Sequence, residues 1–152
     1  MKTAVIYYSK HHGNTKKILD FLCKHSDITL IDAAKIQSEN LLEYDLIGFA
    51  SGIYYSKFHK SVIKFAEDNL PKNKKVFFIY TCGAKKDGYT KAVKEIALNK
   101  GADILGEFGC LGLDTFGPFK LVGGIAKGHP NNDDFDNALK FFNDIRQARL
   151  EP

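Results

Sequence analysis

Apolar positions along this chain fall into two alternating kinds of block. Short runs with almost no polar interruption occupy Thr3 to Ser9, Ile28 to Ile31, Asp45 to Ala50, Lys75 to Thr81 and part of Ile104 to Leu113. Runs of this length, rich in Val, Ile, Phe and Tyr, predict strands covered on both faces. Between them lie stretches whose apolar residues recur at helical spacing. Asn14 to Lys24 carries Ile18, Leu19 and Leu22, and a later block carries Val62, Phe65, Ala66 and Leu70 before Pro71 stops it. Val93, Ile96 and Ala97 mark a third helix, with Asp87 as its expected cap and Gly101 as its end. Phe135, Ala138, Leu139, Phe142 and Ile145 form the longest helical stripe. Asp133 and Asp134 sit in its first turn and Arg146 and Arg149 near its end, both placements favoured by the helix dipole. Ser38 to Tyr44 is expected to be a short helical connection.

Strand and helix therefore alternate five times. That alternation predicts an α/β domain, with a parallel sheet covered by helices on both faces. No repeat, linker or low-complexity tract divides the chain, so residues 1–152 are expected to form one domain. The one long irregular stretch, Asp114 to Pro130, is rich in Gly and Pro. Its length exceeds that of an ordinary connection, so it is expected to be functional or well packed.

Bulk composition narrows the function classes. A net charge of +4 is mild, and no dense Lys/Arg stripe or nucleic-acid motif occurs, so nucleic acid is not an expected partner. No apolar run reaches the ~18 residues of a membrane helix, and Met1-Lys2-Thr3 leads straight into a strand with no signal-peptide pattern. A cytoplasmic protein is the expectation. Cys23, Cys82 and Cys110 are odd in number and lack zinc or CxxC spacing, which suits reduced thiols. The five histidines show no HxxH or HExxH pattern, and no metal site is expected.

Candidate chemistry begins where the first strand ends. Ser9-Lys10-His11-His12-Gly13-Asn14-Thr15 follows a buried strand and opens a helix, whose first amides have no intrahelical acceptor. A phosphate suits those amides and the positive end of the dipole. Gly13 permits close approach, and Ser9, Asn14 and Thr15 can add side-chain hydrogen bonds. The loop resembles the phosphate loop of flavodoxins, usually T/S-x-T-G-N-T. Gly13-Asn14-Thr15 match it, while Lys10 and His12 stand where hydroxyls are usual. The resemblance runs over essentially the whole chain, including Phe108-x-Cys110-x-Gly112 and Asp114-Thr115-Phe116-Gly117-Pro118 through Lys127-Gly128-His129-Pro130. It has no insertion of the long-chain type in the fifth strand.

That resemblance implies a flavodoxin-like three-layer sandwich, with five parallel strands in the order 2-1-3-4-5. It also implies an FMN site at the strand C-termini. Two further loops then join the cofactor-binding set. Ser51, Gly52, Ile53, Tyr54 and Tyr55 follow the third strand, and either tyrosine is a candidate to stack on the flavin ring. In the family a glycine such as Gly52 turns its carbonyl toward the N5–H of the reduced flavin. Thr81, Cys82, Gly83 and Ala84 follow the fourth strand and are similar to the loop that binds the pyrimidine end of the ring. A catalytic role for Cys82 lacks an evident partner base, and Tyr89 is expected to be core.

The implied function is single-electron transfer between redox proteins by a monomeric carrier. The alternatives are a flavodoxin-like FMN oxidoreductase, of quinone reductase or protoporphyrinogen-oxidising type, and a flavin-free binding module. Lys10, His11, His12, Lys57, His59, Lys85 and Lys86 fall in or beside the cofactor loops. Partners with acidic docking faces are therefore expected.

Overall fold

The computed structural model describes residues 1–10, 12–115 and 117–148. His11, Phe116 and Arg149, all named above, lie outside the described residues. Along the chain run β1 (Thr3–Tyr8), α1 (Asn14–His25), β2 (Thr29–Asp32), β3 (Leu46–Tyr54), β4 (Lys57–Phe58) and α2 (Lys60–Asn69). Then follow β5 (Lys75–Cys82), α3 (Lys91–Asn99), β6 (Asp103–Leu111), a 3₁₀ helix (Gly117–Val122) and α4 (Asn132–Ala148).

The parallel strands lie in the order β2-β1-β3-β5-β6, the expected doubly wound arrangement. Alternation along each strand divides the core in two. Ala4, Ile6 and Tyr8 of β1 and Val76 and Phe78 of β5 face the layer of α2 and α3, where Val62, Phe65, Val93 and Ala97 meet them. Val5, Phe77 and Ile79 face α1 and α4 and pack on Ile18, Leu22, Ala138 and Phe142. Phe49, Phe77 and Phe78 are completely buried. Each contributes on the order of 1.5–3 kcal/mol.

Three expectations need correction. The sheet has six strands, because β4 pairs antiparallel with the end of β3 through Ile53↔Phe58 and Tyr54↔Lys57. β3 runs on past Ala50 as far as Tyr54, and Tyr55 and Ser56, with φ of 51° and 63°, close a two-residue hairpin. Two left-handed residues are what such a tight turn requires. Ser38 to Tyr44 forms turns and extended chain in place of a helix. Asn40 Oδ1 accepts from the Leu42 N–H, and Leu41 is the one buried side chain there, so no helical face exists to dock. Asp87 does not cap α3, whose N-cap is Thr90, a residue whose hydroxyl bonds Glu107. Gly101, with φ of 69°, does terminate α3.

Candidate functional site

The C-terminal ends of β1, β3, β5 and β6 reach the same level, with Tyr8 beside Ser51, Gly52 beside Thr81 and Cys82 beside Leu111. The loops leaving them enclose an open cleft of about 230 Å³ at the switch point, where the chain turns to β2 on one side and β3 on the other.

On the first loop, His12 and Gly13 both take left-handed backbone, with φ of 60° and 64°. Gly13 is the N-cap of α1 and has no side chain to cap with. Ser9 Oγ replaces it by accepting the Lys16 N–H at 3.1 Å, while the Lys17 N–H reaches the Gly13 carbonyl at 3.0 Å. The two amides before them, of Asn14 and Thr15, have no acceptor among the described residues. A Cβ on Gly13 would meet nothing within 4 Å among the described residues beyond its chain neighbours, so that side of the residue is open. Asn14 Nδ2 donates to the Leu113 carbonyl at 2.9 Å, which fixes the amide's orientation. Its Oδ1 is buried and has no partner among the described residues. The Thr15 hydroxyl bonds Thr81 Oγ1 at 2.8 Å, tying the first loop to the third. His12 Nε2 bonds Thr115 Oγ1 at 3.0 Å.

On the second loop, Gly52, Ile53, Tyr54 and Tyr55 line the cleft and Ser51 lies completely buried behind them. Ser51 Oγ donates to the Gly52 carbonyl at 2.5 Å and accepts the His59 N–H at 3.0 Å. The two tyrosines differ. Tyr54 stands edge-on to Tyr8 and to His59, with ring centroids 5.4 and 5.1 Å apart. Burial raises its pKa. Tyr55 is 90% exposed at the tip of the hairpin. The His59 ring stacks on Tyr8 at 3.5 Å, and its Nδ1 accepts the Ser61 N–H at 3.2 Å, capping α2. Burial, then Lys60 and Lys10, push the His59 pKa below 6.5.

On the third loop, Thr81, Cys82 and Gly83 line the cleft, whereas Ala84 serves the loop itself by accepting the Tyr89 hydroxyl at 2.6 Å. Burial pushes the Cys82 thiol up to about 11, so it stays protonated at neutral pH and is no nucleophile. A fourth wall comes from Gly112, Leu113 and Asp114, none of which the sequence had marked as site residues. Gly112 lies so close to Asn14 that a Cβ would come within 2.6 Å of Nδ2. The signal was present in the resemblance of the segment after β6, but no residue type there announced a ligand. The long segment it begins is well packed where it borders the cleft: Asp114 and Ile125 exchange backbone hydrogen bonds of 3.0 and 2.8 Å.

A flavodoxin domain family model matches residues 5–112. An uncharacterized protein of Methanocaldococcus jannaschii is 41% identical over 147 residues, covering 95% of this chain and 98% of that protein. The chain belongs to the flavodoxin domain family. Among solved structures, oxidised flavodoxin 2 from Bacillus cereus is similar with a TM-score of 0.68 at 19% identity, covering 96% of this chain and 99% of that one. Rubredoxin oxygen:oxidoreductase from Desulfovibrio gigas is similar with a TM-score of 0.71 at 15% identity. The match covers 97% of this chain and 35% of that one, and both likenesses concern the fold.

The family's flavins fit what this cleft offers. The α1 amides and the open space over Gly13 suit an anion. The orphaned Asn14 Oδ1 needs a donor, which a phosphate dianion lacks and a polyol hydroxyl supplies. The flavodoxin assignment also sharpens the departures at Lys10 and His12. Lys10 Nζ sits 5.8 Å from the centre of the Tyr8 ring, on which the His59 ring also stacks.

Proposed function

We propose that this chain is an FMN-dependent electron carrier of flavodoxin type, passing single electrons between redox proteins with acidic docking faces. The observation that carries the reading is the start of α1. The Asn14 and Thr15 amides and the buried Asn14 Oδ1, all without partners among the described residues, belong to two residues that line one cleft. FMN, when bound, supplies the one-electron chemistry.

The chain's own residues hold and orient it. The Asn14 and Thr15 amides and Lys10 receive the phosphate, with Ser9, His12 and Gly13 shaping the loop around it. Asn14 Oδ1 accepts a side-chain hydroxyl. Tyr55 lies over the ring, Tyr54 and Ile53 support its edge, and Thr81, Cys82 and Gly83 bound its polar end. Ser51, through its hydroxyl, sets the direction of the Gly52 carbonyl at the wall.

A carrier is favoured over an enzyme by what lines the cleft. The described lining holds no histidine and one carboxylate, Asp114, and its thiol is protonated. Proton transfer to a substrate therefore has neither a histidine nor a thiolate in the described lining to serve it. A monomer working in the cytoplasm completes the reading.

Stopped-flow reduction of the FMN-loaded protein by NADPH and by NADH, each with and without a flavodoxin reductase, separates the readings. A carrier is reduced rapidly only when the reductase is present. Rapid reduction by the nicotinamide alone, with turnover on a quinone, would assign the oxidoreductase reading in its place.

A further inference from the structure

Charge is distributed unevenly among the loops of the chain. The segments bordering the cleft, residues 9–13, 52–60, 83–90 and 112–130, contain Lys10, Lys57, Lys60, Lys85, Lys86, Lys120 and Lys127 against Asp87 and Asp114. That is an excess of five positive charges in these segments of a chain whose total is +4. The rest of the chain sums to −1, so the loops around the cleft hold the excess of positive charge.

Large exposed apolar side chains gather at the same end. The 3₁₀ helix Gly117–Val122 presents Leu121 at 89% and Val122 at 66% exposure, with Phe119 beside them at 36%. This helix hangs from the cleft wall: Ile125 pairs with Asp114, and its side chain packs on Gly83. The Lys127 ammonium lies against Gly123, next to the two aliphatic tips. Tyr55, also fully presented, stands on another loop of the same cleft. Solvent-facing Leu, Val and Tyr on loops that also carry lysines are costly to leave bare and suit an intermittent contact.

We propose that the 3₁₀ helix Gly117–Val122, together with Tyr55 and the surrounding lysines, is the docking face for an electron-transfer protein whose own contact surface is acidic around a small apolar centre. The inference rests on the carrier reading and adds the place and chemistry of its partner contact. The lysines steer the encounter and the aliphatic tips fix its orientation, the division expected of a small, transient interface. An anionic membrane is the less suitable occupant. The charges are spread over four segments around a concavity, and the apolar tip is one short turn with too few side chains to enter a bilayer.

The test follows backbone amide signals of the ¹⁵N-labelled protein, with and without FMN. Its partner is a rubredoxin of net negative charge, and the counter-probe is a cytochrome c of net positive charge. The rubredoxin is expected to perturb the amides of Tyr55, Lys57, Lys85, Lys86 and Phe119 to Val122, with affinity falling about tenfold or more from about 20 to about 300 mM NaCl. The cytochrome c leaves those signals unmoved. Leu121→Ser with Val122→Ser weakens the rubredoxin contact several-fold while keeping its salt dependence. Lys85→Glu with Lys86→Glu weakens it and flattens that dependence. Leu42→Ser, an exposed position at the opposite end of the strands, changes nothing. Perturbations mapping elsewhere, equal response to the cytochrome c, or insensitivity to the Leu121/Val122 pair overturn the proposal. Binding to phosphatidylserine vesicles without response to the rubredoxin overturns it in favour of a membrane. FMN binding is measured separately by fluorescence quenching, so failure to hold FMN removes the carrier reading whichever way the docking result falls.

Discussion

Replacing Tyr55 and Tyr54 by alanine, one at a time, separates a side chain that waits for a ligand from one that holds the wall. Tyr55 is 90% exposed and touches little of the protein, so its removal should change apo-protein stability by no more than ~0.5 kcal/mol. If its ring covers the flavin, the same change should weaken FMN by ~1–3 kcal/mol, the range for aromatic stacking on bases. That corresponds to about 5- to 150-fold in affinity. Tyr54 makes two edge-on ring contacts. At ~0.5–1.5 kcal/mol for each ring pair, Tyr54→Ala should cost the apo protein about 1–3 kcal/mol. The assays are urea unfolding of the apo proteins and fluorescence titration with FMN, whose emission should brighten in Tyr55→Ala. Unchanged FMN affinity and emission in Tyr55→Ala, beside an intact apo fold, would refute the assignment of the stacking ring.

Protonation of His59 removes the acceptor that caps α2 and opposes a lowered pKa, so its contribution to stability is full above pH 6.5 and lost as pH falls below it. His59→Asn keeps a capping oxygen and should flatten the acid limb of thermal unfolding between pH 7 and about 5; an unchanged limb contradicts this role. Burial raises the Cys82 and Cys110 thiols to about 11 and about 12. Iodoacetamide near neutral pH should therefore leave both untouched in the folded protein, roughly two orders of magnitude slower than free thiols, and mass spectrometry of either residue alkylated at the ordinary rate would disprove their protected state. A Cβ on Gly48 would overlap the ring of Phe77, which is completely buried. Gly48→Ala should destabilise by ~1–3 kcal/mol by urea titration, and a neutral result would mean that the ring moves freely.

Much of the architecture was legible because both periodicities were strong. Uninterrupted runs such as Val76 to Ile79 can hardly be anything but strands covered on both faces, and the α4 stripe through Phe142 names its own buried face. What the pattern could not reveal depended on backbone geometry or distant packing. The β3–β4 hairpin turns on Tyr55 and Ser56, which carry none of the Asn-Gly chemistry that normally signals such a turn. Asp87 looked like a helix cap, but α3 begins only at Lys91, with Thr90 as N-cap and its hydroxyl taken up by Glu107. At the cleft, Gly13-Asn14-Thr15 identified the helix start correctly in position. Geometry alone separated Asn14, with its unsatisfied oxygen, from Thr15, whose hydroxyl is already engaged by Thr81. Leu113 and Asp114 stayed hidden as wall residues because long-range strand order brings them there.

The central claim is that α1 receives the phosphate of FMN, and calorimetric titration of the apo protein with FMN and with riboflavin tests it most directly. Two charge-assisted amide hydrogen bonds and the helix dipole, offset by desolvation of the phosphate, should leave FMN favoured by ~2–4 kcal/mol, about 30- to 1,000-fold in affinity. Equal affinities for the two, or no binding of either, would contradict the account.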